Sequence, residues 1–207
     1  GLWPSLRRRP FSKIAIPNTF PKSIFISTMS TAPFAADLEV VLEKTKQEII
    51  QAGIDVLKFL TNGSINMVSP QNLSNTKLTD LNNVQQHTYS GPHPAGNIGV
   101  HVSQIDPIKN KEDSIWYISI QDLISIGELF LTGKVDYRKI ITVAGSAVSE
   151  KLHYTVNRGT LISQILSNNK LEDNARIISG DVLTGAISYM DNSIGFYHES
   201  ITIIPNV

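Results

Sequence analysis

At 207 residues the chain has enough length for one generous hydrophobic core or two modest ones. Eighteen basic residues balance eighteen acidic ones, so no whole-chain field draws it to nucleic acid or acidic lipid. The lack of cysteine excludes disulfides, thiol nucleophiles, iron–sulfur ligation and Cys-held zinc.

The chain opens with Pro4, Pro10, Pro17 and Pro21, a spacing that predicts extended or irregular backbone rather than helix. Arg7, Arg8 and Arg9 ahead of "SIFISTMSTAPFAA" imitate a signal peptide. The prolines break the segment between them, however, and the apolar part is too short and too polar. No apolar run approaches the roughly 18 residues needed to span a bilayer. With Gly1 first and no plausible start at Met29, the chain reads as an excised piece of a longer protein.

"SIFIS", residues 23–27, reads as a short buried strand. Leu38, Val41, Leu42, Ile49, Ile50, Leu57 and Leu60 follow at helical spacing, with Asp37 placed to cap the helix, Gly53 placed to divide it and Asn62-Gly63 placed to stop it. "SINMV" at 64–68 is a second strand. The polar stretch 69–83 is an expected exposed loop, and "VQQHTYS" at 84–90 is a third strand. Pro94 suits the first turn of a helix carrying Ile98, Val102 and Ile105. "SIWYISI" at 114–120 is a fourth strand, followed by a helix through Leu123, Ile126, Leu129 and Phe130 that closes at Gly133. Strand alternating with helix predicts a mostly parallel sheet with flanking helices.

Near Val135 the texture changes. "RKIITVAG" and "KLHYTV" resemble a strand pair. Thr160 is placed to cap a short helix with Leu161, Ile162, Ile165 and Leu166 inward, and "ARIISGDVLTG" and "GFYHESITII" are strand-like again. Two strands, a helix and further strands predict a small β-grasp α+β module. The expected fold class is α/β, with the β-grasp module following the parallel sheet.

The oddest stretch is "YSGPHPAGNIGVHV", residues 89–102. It leaves the carboxyl end of a predicted strand, where open α/β sheets bind ligands. Yet Gly91, Gly96 and Gly99 fit neither dinucleotide nor P-loop spacing, and Pro92 and Pro94 remove two N–H donors from any phosphate cradle. Glycines 96 and 99 more plainly allow close packing. His87, His93 and His101 could in principle hold a metal, but no sequence-near carboxylate completes a set. No metal site is assigned. Gly91, Pro92, His93, Pro94 and Gly96 remain candidates for an interface or ligand loop. Arg7, Arg8 and Arg9 are either solvated surface or contacts to an acidic partner or phosphate. No serine sits in a nucleophile elbow, so no catalytic residue is assigned, and Trp116 and Tyr117 read as core.

Taken together, "LWPSLRRRPFSKIA", "YSGPHPAGNIGVHVSQIDPI", "IWYISIQDLISIGELFLTGKV", "ITVAGSAV" and "ARIISGDVLTG" resemble the A-subunit family of the bacterial sodium-translocating NADH:quinone oxidoreductase, in the family's order along nearly the whole chain. The resemblance implies a Rossmann-like domain over 1–135, related to the flavin-binding fold of complex I, and a soluble-ligand-binding β-grasp (SLBB-type) domain over 136–190. It further implies a terminal segment, 191–207, returning to an absent amino-terminal domain and therefore short of its strand partner.

The complex resembled oxidises NADH, passes electrons through flavins and iron–sulfur centres to quinone, and exports Na+. The resemblance implies a peripheral place on the cytoplasmic face of the bacterial inner membrane, beside the membrane subunits, with no redox centre in this chain. Where flavin-binding cousins have a glycine-rich loop, this chain has "GLWPSLRRRPFSK", whose bulky side chains oppose close approach of a phosphate. No cofactor is expected in this chain. Two alternatives stay open: a contribution to a quinone site, or a flavin- or NADH-binding dehydrogenase domain. Ser103 stands where relatives often carry another histidine, and the polar loop 69–83 is peculiar to this member.

Overall fold

The computed structural model describes residues 1–206. Two compact units account for them: residues 1–31 with 38–136, and residues 32–37 with 137 onward.

In the first unit the chain begins with a 3-10 turn (Trp3–Ser5) and two short strands, β1 (Arg7–Arg9) and β2 (Lys13–Ile14), before β3 (Ser23–Ser27). Helices α1 (Leu38–Leu42) and α2 (Gln47–Lys58) lead to β4 (Ser64–Pro70) and β5 (Gln85–Tyr89). Helix α3 (Ile98–Ile105), β6 (Ile115–Ser119) and α4 (Ile120–Thr132) complete the unit. The sheet runs β2-β1-β6-β3-β4-β5. β6, β3, β4 and β5 are parallel, and β1 and β2 extend the sheet as an antiparallel edge.

Side chains alternate across the sheet. Phe25, Val68 and Ile115 form one core with Val102 of α3, while α2 and α4 cover the other face, where Ile24, Ile26, Met67, Trp116 and Ile118 are buried. Helix α2 buries Ile50, Gly53, Ile54 and Leu57, one stripe at helical spacing. Gly133 closes α4 in the left-handed conformation, φ 74°, as its sequence position predicts.

Several sequence expectations are corrected. The helical segment breaks at residues 43–46, not at Gly53. There the Thr45 hydroxyl bonds the Val41 carbonyl, whereas Gly53 lies inside α2 because a methyl group would stand 2.7 Å from the Leu123 carbonyl oxygen. Helix α2 ends at Lys58 with Phe59 still right-handed. Gly63 is no helix stop; its lack of a side chain admits the Lys22 carbonyl. No α-helix joins β4 to β5. Residues 71–84 hold a 3-10 turn (Thr76–Leu78) and are not simply an exposed loop, because Leu78 and Leu81 are buried. Lys77 Nζ also bonds the carbonyls of Leu42 and Glu43. Pro94 precedes α3 instead of opening it: the Asn97 amide bonds the Pro94 carbonyl, and the helix starts at Ile98.

The second unit contains β7 (Arg138–Ala144), β8 (Leu152–Asn157), α5 (Ile162–Ile165), β9 (Ala175–Ser179), β10 (Ala186–Ser188) and β11 (Ser200–Pro205). Its sheet order is β10-β9-β11-β7-β8, a grasp-like arrangement of a hairpin, a short helix and a final strand returned to the centre. Thr160 bonds the Asn157 carbonyl instead of capping α5, and Leu161 is exposed. The expectation of an unpartnered terminal strand also fails: β11 pairs parallel with β7 and antiparallel with β9, and Ile201 and Ile203 lie fully buried in the core. An all-apolar inner face makes this strand the natural centre of the sheet. Val207, the end of that segment, lies outside the described residues. Residues 32–37 join this unit through the Thr142 hydroxyl, which donates to the Phe34 carbonyl, and through the Asp37 amide, 3.0 Å from His153 Nε2.

Candidate functional site

In the first sheet β3, β4 and β5 succeed one another outward, and the chain then returns to β6 on the far side of β3. The strand order therefore reverses between β3 and β6, the position where α/β sheets hold nucleotides. After β6, Ser119 Oγ caps α4 by accepting from the Asp122 amide at 3.2 Å, and Asp122 itself is buried in the first turn. A carboxylate of the chain thus occupies the helix end whose N–H groups and dipole would attract a phosphate. The residues present do not fit a nucleotide or flavin phosphate there.

The loop after β5 is tied inward. The Gly96 amide donates to Thr31 Oγ1 at 2.9 Å, and the same hydroxyl lies 3.3 Å from His93 Nδ1. The Ala95 and Asn97 amides bond the carbonyls of Pro92 and Pro94. Every N–H from Ala95 to Asn97 is therefore used within the fold, and Pro92 and Pro94 have none to offer. Gly96 is buried where a methyl group would stand 2.7 Å from the Thr31 amide nitrogen. Its close approach is to the turn beyond β3. Gly99 faces only the Arg9 guanidinium, at 3.1 Å, the flexible end of a side chain. Gly91, Pro92 and Pro94 are exposed.

The arginine triplet divides by strand parity. Arg7 and Arg9 oppose Tyr117 and Ile115, on the α3 face, and Arg8 opposes Trp116 on the other. Arg7 bonds the Ser12 carbonyl through Nε (3.2 Å) and Nη2 (3.0 Å) and lies over the Tyr117 ring at 5.5 Å. Arg9 bonds Ser12 Oγ at 3.1 Å. Two of the three cations thus secure the turn at residues 10–12, where Phe11 and Ser12 both have positive φ. On the opposite face Trp3 meets Trp116 edge to face, centroids 5.8 Å apart, with its indole N–H on the Ala15 carbonyl. Trp116 is core, as its strand position predicts.

The three histidines go separate ways. His87 bonds Asn66 Oδ1 at 3.0 Å, His93 faces Thr31, and His101 bonds the Ala95 carbonyl through Nε2 at 2.7 Å. Among the described residues no group of three or more His, Cys, Asp or Glu is arranged to hold a metal ion. No helix among them is long and apolar enough to cross a membrane.

His101 clamps the loop from below. It is fully buried beside the Tyr89 ring, 4.8 Å between centroids. With Nε2–H donated to Ala95, Nδ1 is bare and has no partner among the described residues. Burial therefore depresses its pKa below the ordinary 6.5, against a smaller opposing contribution from the Ala95 bond. The unfolded chain takes up this proton near pH 6.5 while the folded chain resists it. The stabilisation is therefore complete above pH 6.5 and declines as pH falls below it. We expect the melting temperature to drop as pH is lowered from 7 toward 5, and to drop less in His101→Gln. A variant curve parallel to that of the parent would assign the slope to other groups, His87 first, since burial lowers its pKa as well.

The family profile for the NqrA second alpha/beta domain matches residues 1–135, and that for the NQRA C-terminal domain matches 140–189. The chain belongs to the NqrA family. It is 36% identical over 205 residues to the NqrA relative from Yersinia pestis bv. Antiqua (strain Angola), named for the Na(+)-translocating NADH-quinone reductase, covering 99% of this chain and 45% of that one. A Tolumonas auensis protein of the same name is 33% identical over 206 residues, with the same coverages. The chain thus spans less than half the length of these NqrA relatives. Among solved structures it is similar to an NAD+-reducing NiFe-hydrogenase in the air-oxidized state, with TM-score 0.63 and 11% identity over 89% of this chain and 40% of that one. At that identity the likeness is one of architecture.

Sequence reasoning placed the loop and the triplet but not the residues that hold them. Thr31 serves the candidate site, and its only signal is tertiary. Thr31 lies more than sixty positions from Gly96, and no local pattern marks a hydroxyl that will accept from a distant amide.

Proposed function

We propose that this chain acts as part of a peripheral, cytoplasmic-side subunit of a sodium-pumping NADH:quinone reductase, and that it works through protein contacts without carrying a redox centre. The observation that carries the reading is the fate of its polar groups. The Arg7 and Arg9 guanidinium groups and the Gly96 amide are engaged inside the fold, so the position resembling a nucleotide site offers no phosphate cradle. Its exposed features are apolar instead. Phe11 is 82% exposed beside the open β2 edge, and Ile14, Ile16 and Phe20 are each at least 45% exposed. Pro92 and Pro94 are exposed at the loop. An open strand edge with large apolar side chains favours a protein neighbour. The relatives are named for a Na(+)-translocating NADH-quinone reductase; the reading sets this chain beside other subunits of such a reductase, the membrane subunits above all, and leaves NADH, flavins, iron–sulfur centres, quinone and Na+ to the assembly as a whole.

The test is assembly. Phe11→Asp combined with Phe20→Asp should reduce co-purification with the remaining subunits at least tenfold and leave the melting temperature of the isolated chain unchanged. Replacing Pro92, His93 and Pro94 by serine should act in the same direction. Full assembly of both variants would count against the reading, and FMN or NADH raising the melting temperature of the parent chain would favour a cofactor-binding domain.

A further inference from the structure

Arg7 and Arg9 are tied to the turn at residues 10–12, and Arg8 is the cation of the triplet whose side chain the fold does not engage. On β1 it stands between Trp116 of β6 and Lys13 of β2, its register partners on either side. Residues opposed across antiparallel strands project to one face, their Cβ atoms about 5 Å apart, and like charges in that position destabilise the pair. Arg8 and Lys13 are such a pair. They stand at the margin of the sheet, where β2 has no strand beyond it.

Nothing of opposite sign separates them. Among the described residues no carboxylate pairs with either side chain, and no acceptor takes a hydrogen bond from either. Arg8 Nε is enclosed without an acceptor, and a buried, charged donor left unpaired is both costly and uncommon. Arg8 is half-buried and Lys13 is exposed, so one charge is sunk at the sheet and the other stands beside it in solvent. The two together lack an anion.

The surroundings say which anion fits. β1 is paired on both sides, with β2 and with β6, so its main-chain N–H groups are not available to wrap a phosphate. A flat layer of lipid headgroups would meet Lys13 but not the half-buried Arg8. A carboxylate carried on a side chain can reach in, and its two oxygens can accept from both cations. Phe11 and Ile14, exposed at the same margin, offer apolar contact around such an ion pair. We propose that Arg8 and Lys13 together receive an aspartate or glutamate side chain of another subunit of the reductase, docked at the open β2 edge. The inference rests on the assembly reading and adds the chemistry of the neighbour, an acidic residue flanked by apolar ones.

The assembled reductase is the material for the test. A water-soluble carbodiimide joins an amine to a carboxylate only where the two meet, and mass spectrometry of the treated complex should find Lys13 joined to an Asp or Glu of another subunit. Arg8→Glu combined with Lys13→Glu should reduce co-purification with the remaining subunits at least tenfold, because reversal sets like charges face to face across the interface. Lys13→Glu alone, at an exposed position, should act in the same direction, and the cross-link on the parent needs no variant, so an Arg8→Glu chain that fails to fold does not blunt the test. If Phe11→Asp with Phe20→Asp loses assembly while Lys13→Glu assembles like the parent and Lys13 is joined to no other subunit, the assembly reading stands and this inference falls. Full assembly of every variant would overturn both. Sedimentation of the purified chain with phosphatidylglycerol vesicles, or a melting temperature raised by inorganic phosphate, each abolished by Lys13→Glu, would assign the pair to a lipid surface or a free anion and overturn the proposal.

Discussion

Gly127→Ala should lower the stability of the first unit by about 3 kcal/mol, at the upper end of overpacking costs. At this chain length that is a fall of roughly 6–12 °C in melting temperature. Gly127 lies in the buried stripe of α4, against α2. A methyl group there would stand 1.9 Å from the Ile49 carbonyl oxygen and 2.9 Å from its carbon. The obstacle is backbone, so no rotamer change relieves it and the two helices must move apart. The higher helix propensity of alanine, worth about 1 kcal/mol over glycine, offsets only part of the cost. Both tryptophans, Trp3 and Trp116, belong to this unit, so a fluorescence-monitored melt reports on it directly. A melting temperature indistinguishable from that of the parent would show that the helices are not in such close approach.

Gly145→Ala should be at least as damaging to the second unit, by about 4 kcal/mol, because two penalties coincide: a strained backbone and an overpacked contact. Gly145 follows β7 with φ 127°, a conformation that costs a side-chain-bearing residue about 1–3 kcal/mol. Its missing Cβ would also fall 1.9 Å from the Ile203 carbonyl oxygen. The adjoining Ala147 amide bonds that same carbonyl at 3.2 Å, so the substitution strikes where the central strand is secured. Hydrogen exchange is the proper measurement, since this unit has no tryptophan among its residues. Amides of β7 and β11 should lose protection while those of β3 and β4 keep theirs. Unchanged protection in β11 would refute the account.

Much of the fold is legible in the chain. "SIFIS", "SINMV" and "SIWYISI" become β3, β4 and β6 almost to the residue, because short apolar runs bounded by turn residues leave a buried strand little alternative. Gly133 after the apolar periodicity marks the end of α4, whereas its start falls inside the predicted strand, with Ser119 capping a helix that begins at Ile120. Glycine was harder to read. Gly53 and Gly63 look like a break and a stop in one dimension, but each admits a backbone carbonyl from elsewhere. The polar loop 69–83 departs from its expected exposure for a similar reason: two leucines, Leu78 and Leu81, are buried despite their hydrophilic neighbours.

The candidate loop divides along the same line. Its prolines and glycines announce a turn after a strand, and its lack of free N–H donors argues against a phosphate cradle on composition alone. That Thr31 bonds its Gly96 amide and that His101 lies bare and buried beneath it emerge only when distant segments meet. Residue order was enough for the α/β alternation, the buried strands and the family, since these rest on local pattern and on runs of identity. Strand neighbours, the central place of β11 and the partners of Arg7 and Lys77 required the folded chain. Hydrogen bonds and close packing act over a few ångströms of space, and positions dozens of residues apart share that space only once the core has formed.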